Sequence, residues 1–154
     1  MNQQKKQKMK YTEATTGRSF VLRLEDGEIL HEVIEKFAEE QKIDAAKLIV
    51  LGGADKGSIL VTGPRDGRAP IIEKQEITLD DVHEITGVGT LFRNEEGKVI
   101  SHIHLSAGRG EKAVTGCARS GVKIWLVAEV VITELYNCTA RREKDHNGFE
   151  LLTM

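Results

Sequence analysis

The chain has 154 residues, 40% of them hydrophobic and 30% charged, which suits one domain with a sizeable core. No segment approaches the roughly 18 consecutive apolar residues of a membrane helix, and aromatics at 5% are too scarce for a base-stacking platform. Four lysines within residues 1–10 leave 18 basic against 24 acidic residues, a net −6, for residues 11–154, so the domain itself repels phosphate backbones.

Residues 1–14 read as a disordered basic tail and residues 15–154 as the domain. The tail has no apolar region behind its lysines, so it is not a secretory signal. Two cysteines, Cys117 and Cys138, do not make a disulfide framework. Together these features point to a cytoplasmic protein with reduced thiols.

Ser19–Leu24 alternates as a strand, with Phe20, Leu22 and Leu24 on one face and Val21 and Arg23 on the other. Asp26-Gly27 follows as a turn, with Asp26 the expected N-cap of an amphipathic helix over Glu28–Gln41. Leu30, Val33, Ile34, Phe37 and Ala38 form its apolar stripe; Glu35, Glu39 and Glu40 lie outside it and His31 flanks it. Lys47–Leu51 reads as a short strand that Gly52-Gly53 breaks or bulges, resuming at Ser58–Thr62. Gly52, Gly53 and Gly57 lack the Gly-Lys-Ser/Thr ending of a phosphate loop. After a turn at 63–68, Ile71–Gln75 is an expected edge strand and Glu84–Phe92 a further strand, closed by a hairpin turn at Asn94–Gly97.

The strand after that turn carries Ser101, His102, Ile103, His104 and Leu105. Side chains alternate along a strand, so His102 and His104 share a face. Two imidazoles on a rigid element begin a transition-metal site but do not complete one; a plain histidine pair is the alternative. A cupin-type site is excluded, because Arg109 stands where that motif wants a glutamate. Ser106–Lys112 reads as a Gly-rich loop, followed by a short strand ending near Gly116-Cys117. Lys123–Leu135 is apolar on both faces, which requires a central position or a covering partner. Glu129 interrupts it and needs a partner if buried. Phe149–Leu152 is a last strand; His83 reads as packing, His146 as part of a turn, and Cys138 as a packed thiol. Many strands and one long helix make an α+β fold, a mostly antiparallel β-body with one main amphipathic helix. No Gly-x-Ser-x-Gly elbow or other hydrolytic motif is present.

Four stretches in order carry a resemblance. They are Gly17–Leu24 with Gly27-Glu28; Leu51-Gly52-Gly53-Ala54; Glu84–Leu91; and His102–Ser106 followed by Gly116 and Ala128–Ile132. From Gly17 to about Leu135 the chain resembles the plants-and-prokaryotes-conserved (PPC) domain, a family described as PD1-like DNA-binding proteins. The resemblance implies a homotrimer. It also implies a third metal ligand, since three histidines gather round a metal in prokaryotic members. Counting back from Gly121, the third histidine's place holds Cys117. A His102, His104, Cys117 set would suit Zn²⁺ or a similar divalent ion and leave a fourth position open; the other reading of Cys117 is a small buried residue in a lapsed site. Glu84 and Glu129 also match the family, either as groups orienting a metal ligand or as buried carboxylates paired with Arg18 or Arg23. The Arg-Gly-Arg-Pro hook by which plant members grip DNA is absent: Gly67-Arg68-Ala69-Pro70 lacks the flanking arginines. DNA binding is therefore the second functional expectation, and whether the protein is an enzyme is left open.

Overall fold

A computed structural model describes residues 9–154. Most of the expected basic tail, residues 1–8, lies outside the described residues; residues 9–14 precede the first strand without regular structure. The strands are β1 (Thr15–Glu25), β2 (Ala45–Ala54), β3 (Ile59–Pro64), β4 (Lys74–Thr78), β5 (His83–Arg93), β6 (Val99–Arg109), β7 (Lys112–Cys117), β8 (Ile124–Tyr136), β9 (Arg141–Lys144) and β10 (Glu150–Thr153). One helix, α1 (Leu30–Glu40), and a short 3₁₀ turn at Ala118–Ser120 complete the fold. The first eight strands form one sheet in the order β1-β8-β2-β5-β6-β7-β3-β4, and β9 and β10 form a separate hairpin. Every pairing within the sheet is antiparallel, so the expected α+β class holds.

The helix buries Leu30, Ile34 and Ala38 against one sheet face. Alternation supplies the other half of that core: Leu48 and Val50 from β2, Ile103 and Leu105 from β6, and Ala128, Val130 and Ile132 from β8. The first turn of α1 is not capped by a side chain. The Leu30 N–H instead donates to the Val122 carbonyl, at 2.9 Å. Asp26 is thereby released from the capping role expected of it. Its carboxylate accepts from the Leu126 N–H at 2.7 Å and braces a bulge in β8 where Leu126 has φ 62°.

Of the two readings of Gly52-Gly53, a break or a bulge, the second holds: β2 runs through to Ala54, and its register with β8 shifts at the glycines. Gly52 has φ 145°, and a Cβ there would stand 2.4 Å from the Val127 carbonyl oxygen, so only glycine fits. The segment after it does not continue β2 but crosses to the far side of the sheet as β3. The edge strand begins at Lys74 rather than Ile71, and the expected Gly-rich loop is mostly strand, since β6 runs to Arg109 and turns only at Gly110-Glu111.

The bulge takes up two extra residues and so keeps β8 in phase: Ile124 before it and Ala128, Val130, Ile132 and Glu134 after it face inward, which leaves Glu129 exposed. The buried carboxylate of this strand is Glu134, 4% exposed, held by a two-point contact from Arg18 at 2.6 and 2.9 Å. Arg23 pairs instead with Glu25.

α1 also closes part of the sheet edge. β7 pairs β6 only from His104 onward, so the start of β6 has no strand neighbour on that side. Glu39 accepts from the Val99 N–H at 2.7 Å, and Glu35 accepts from both the N–H and the hydroxyl of Ser101, at 2.9 and 2.7 Å. Two helix carboxylates one turn apart thus stand in for a missing strand. Ser101 is thus held by the helix.

Among the described residues, no helix covers the opposite face of the sheet. A single row crosses it in register: Val21, Val131, Ile49, Val88, His104, Cys117 and Val61. Val21, Ile49 and Val88 are 82%, 52% and 63% exposed.

Two outcomes follow from this packing. A Cβ at Gly87 would lie 2.6 Å from the His104 carbonyl and 2.7 Å from Leu105 Cβ. Gly87→Ala should therefore cost about 1–3 kcal/mol in urea unfolding, by prising β5 from β6. Arg18 holds the Glu134 carboxyl below its ordinary 4.5, so the ionised form is favoured in the fold. Its contribution is complete above pH 4.5 and is lost as pH falls through the lower folded value. The stability gap between wild type and Glu134→Gln should accordingly narrow between pH 5 and pH 3 in chemical denaturation.

Candidate metal centre

β6 is buried on its inner face through Val99, Ser101, Ile103, Leu105 and Ala107, so His102 and His104 must project from the outer one. Their Nε2 atoms lie 3.0 Å apart, with the rings near-perpendicular. Cys117, the last residue of β7, stands directly opposite His104 in the ladder. The two imidazoles and the thiol offer ligand atoms that all lie within 4.8 Å of one another. The three residues singled out in the sequence, His102, His104 and Cys117, are thus brought to one point by strand register alone.

Cys117 is 8% exposed, and its sulfur accepts from Arg119 Nε at 3.3 Å. His102 is held below its ordinary value, first by burial and then by the positive charges of Arg142 and Arg119. It is thereby biased toward the neutral ring, the form that binds metal. Thr90, the strand neighbour of His102 on β5, accepts at 3.0 Å from Arg142 Nη2. Arg142 itself is 5% exposed. A cleft of about 750 Å³ opens over the cluster, between the outer face of the sheet and the β9–β10 hairpin.

Other candidates fall elsewhere. Glu84 and Glu129 are exposed and take no part in the cluster: they share its face of the sheet but sit further along their strands, Glu84 four residues from Val88 and Glu129 two from Val131. His83 is half-buried with Nδ1 2.8 Å from the Asp81 carbonyl, and His146 is exposed beside the turn at Asp145–Phe149. Cys138 packs against a small cluster of Ala45, Phe92 and Ala140. Sequence reasoning missed Arg119 and Arg142. Arg142 had one available signal: in the strand Arg141-Arg142-Glu143-Lys144, alternation separates it from the Arg141–Glu143 pair and turns it inward.

The family model of the Plants and Prokaryotes Conserved (PCC) domain matches residues 11–136. The chain belongs to this family. Among solved structures it is similar to a metal-containing protein from Archaeoglobus fulgidus, at 25% identity and a TM-score of 0.82, covering 95% of this chain and 100% of that one. A plant- and prokaryote-conserved protein from Pyrococcus horikoshii aligns at 22% identity and a TM-score of 0.81, covering 95% and 98%. A "putative DNA-binding protein" from Ralstonia eutropha JMP134 aligns at 18% identity and a TM-score of 0.67, covering 87% and 90%. No curated protein matches the chain. The PPC match ends at Tyr136, so the β9–β10 hairpin that roofs the cleft lies outside it.

Proposed function

We propose that this PPC-domain protein is a small homo-oligomeric metal-binding protein, with Zn²⁺ or a similar divalent transition metal held by His102, His104 and Cys117. The observation that carries this reading is the convergence of three donors on one point. Two imidazole nitrogens and one sulfur are a donor set that zinc accepts, and burial favours the neutral form of His102. The likeness to the metal-containing Archaeoglobus protein supports it. A zinc ion with three protein ligands keeps a fourth position for water or a ligand and acts there as a Lewis acid.

Self-association rests on the outer face. An apolar row of Val21, Val131, Ile49 and Val88 runs up to His104, and a second copy of the chain is the occupant we assign to it. The number three comes from the family resemblance. We place the protein in the cytoplasm, in keeping with its two free thiols. Among the described residues no helix is long and apolar enough to cross a membrane. Direct DNA binding stands second, because residues 11–154 carry a net −6 and lack the arginine hook.

Protein purified without a histidine tag and dialysed after zinc loading should retain about one ion per chain by elemental analysis. The His102→Ala/His104→Ala double variant should retain almost none; a wild type that retains none sinks the metal reading. In sedimentation velocity the wild type should run at three times its 17.1 kDa chain mass. Val88→Asp, at an exposed position, should run as a monomer.

A further inference from the structure

Arg142 is an unusual residue in this fold. It is 5% exposed, yet among the described residues no carboxylate pairs with its guanidinium. Two of its five N–H groups are used: Nη2 donates to Thr90 Oγ1 at 3.0 Å, and Nη1 to the Glu150 carbonyl at 3.2 Å. Its Nε is buried and has no hydrogen-bond partner. The Phe92 ring, 5.8 Å from the guanidinium carbon, is the remaining compensation. A buried charge without a counter-charge is costly, and positions that keep one generally have a use for it. The Glu150 carboxylate, in the cleft wall, acts on Arg142 through space without a direct contact and accepts instead from Asn94 at 2.9 Å.

The second arginine has the same character. Arg119 is exposed and lines the same cleft, and its one polar contact is from Nε to Cys117 Sγ. Lys74, also on the wall, is already neutralised by Glu76 at 2.6 Å. Among the described residues, two guanidinium groups with no direct carboxylate contact therefore flank the His102, His104, Cys117 cluster. The rest of the lining is largely apolar, with Val61, Ile72, Leu151 and Leu152 its main hydrocarbon surface. Charge at one end and hydrocarbon along the wall describe a ligand with the complementary layout.

We infer that the cleft binds a small organic acid, its carboxylate held by Arg142 and Arg119 beside the histidine–cysteine cluster and its hydrocarbon part against Leu151, Leu152 and Ile72. The guanidinium fork matches a carboxylate's planar geometry. About 750 Å³ accommodates a short acyl chain or a single-ring acid. The hairpin supplying Arg142, Leu151 and Leu152 lies beyond the family match.

The inference does not depend on a bound metal, and its test keeps the two apart. Hexanoate, acetate, hexylamine and hexyl phosphate are titrated calorimetrically into the full chain, once metal-free and once zinc-loaded, with zinc retention measured separately. Hexanoate should bind at least tenfold more tightly than acetate in both forms, and hexylamine should not bind. Arg119→Gln, at an exposed position, and Arg142→Gln should each weaken hexanoate at least tenfold. Leu152→Asp should remove the preference for hexanoate over acetate while leaving zinc retention unchanged. Should Arg142→Gln fail to fold, Arg119→Gln and Leu152→Asp decide the matter. Equal affinity for acetate and hexanoate, or hexanoate binding indifferent to Arg119→Gln, overturns the proposal. Tighter binding of hexyl phosphate than of hexanoate overturns the carboxylate assignment.

Discussion

The register of β6 is the constraint on which the site depends. One face of this strand is committed to the core through Val99, Ile103, Leu105 and Ala107, none more than 2% exposed. A slip of one residue would bury His102 and His104 and expose that whole set, at a cost far beyond what any site could return. The same register places His104 across from Val88 on one side and Cys117 on the other. Hydrophobic burial on the inner face thus fixes the chemistry on the outer face. No residue of the cluster needs a loop to hold it, which is what preorganisation on rigid elements requires.

The helix reinforces that register by an unusual route. β7 leaves the start of β6 without a partner, and a free edge beside a metal-competent pair would fray. Glu35 and Glu39 take the N–H groups of Ser101 and Val99, while Leu30, Ile34 and Ala38 on the same helix fill the core. One element therefore seals both the face and the edge of the strand. The Val99 N–H is the largest influence holding the Glu39 carboxyl below its ordinary range, ahead of the ion pair with Arg93.

Much of this was legible in the sequence. Period-two alternation places His102 and His104 on one face without any structure, and the stripe of α1 is as plain. Cys117 required the family resemblance, because no local pattern says that the end of β7 pairs with His104. Asp26 leaves its expected capping role because the bulge in β8 uses it as a brace, and β2 continues past its glycines opposite that bulge. Glu129 follows the plain alternation of β8 outward, and Glu134 inward. A bulge is two residues of local geometry decided by a partner strand, and a single strand's sequence does not announce it. Arg142 is a similar case: besides its hairpin partner β10, its environment is made by Thr90 of β5 and by Asn94, both distant along the chain from β9.

Charge ties the cluster to the cleft above it. A ligating sulfur and Glu150 contribute two negative charges, and the arginines at 119 and 142 two positive ones. The positive group in contact with the donor set is Arg119, on the Cys117 sulfur, and it opposes a divalent cation there. An anion seated between the arginines would offset that opposition. By linkage, the anion would then raise metal affinity by the same factor as the metal raises affinity for the anion. Cysteine in place of a third histidine works in the same direction, since a thiolate brings to the arginines the counter-charge that a neutral imidazole lacks. Cys117 and the two arginines beside it thus form one electrostatic arrangement. Arg142 enters it from a hairpin that the family match does not include.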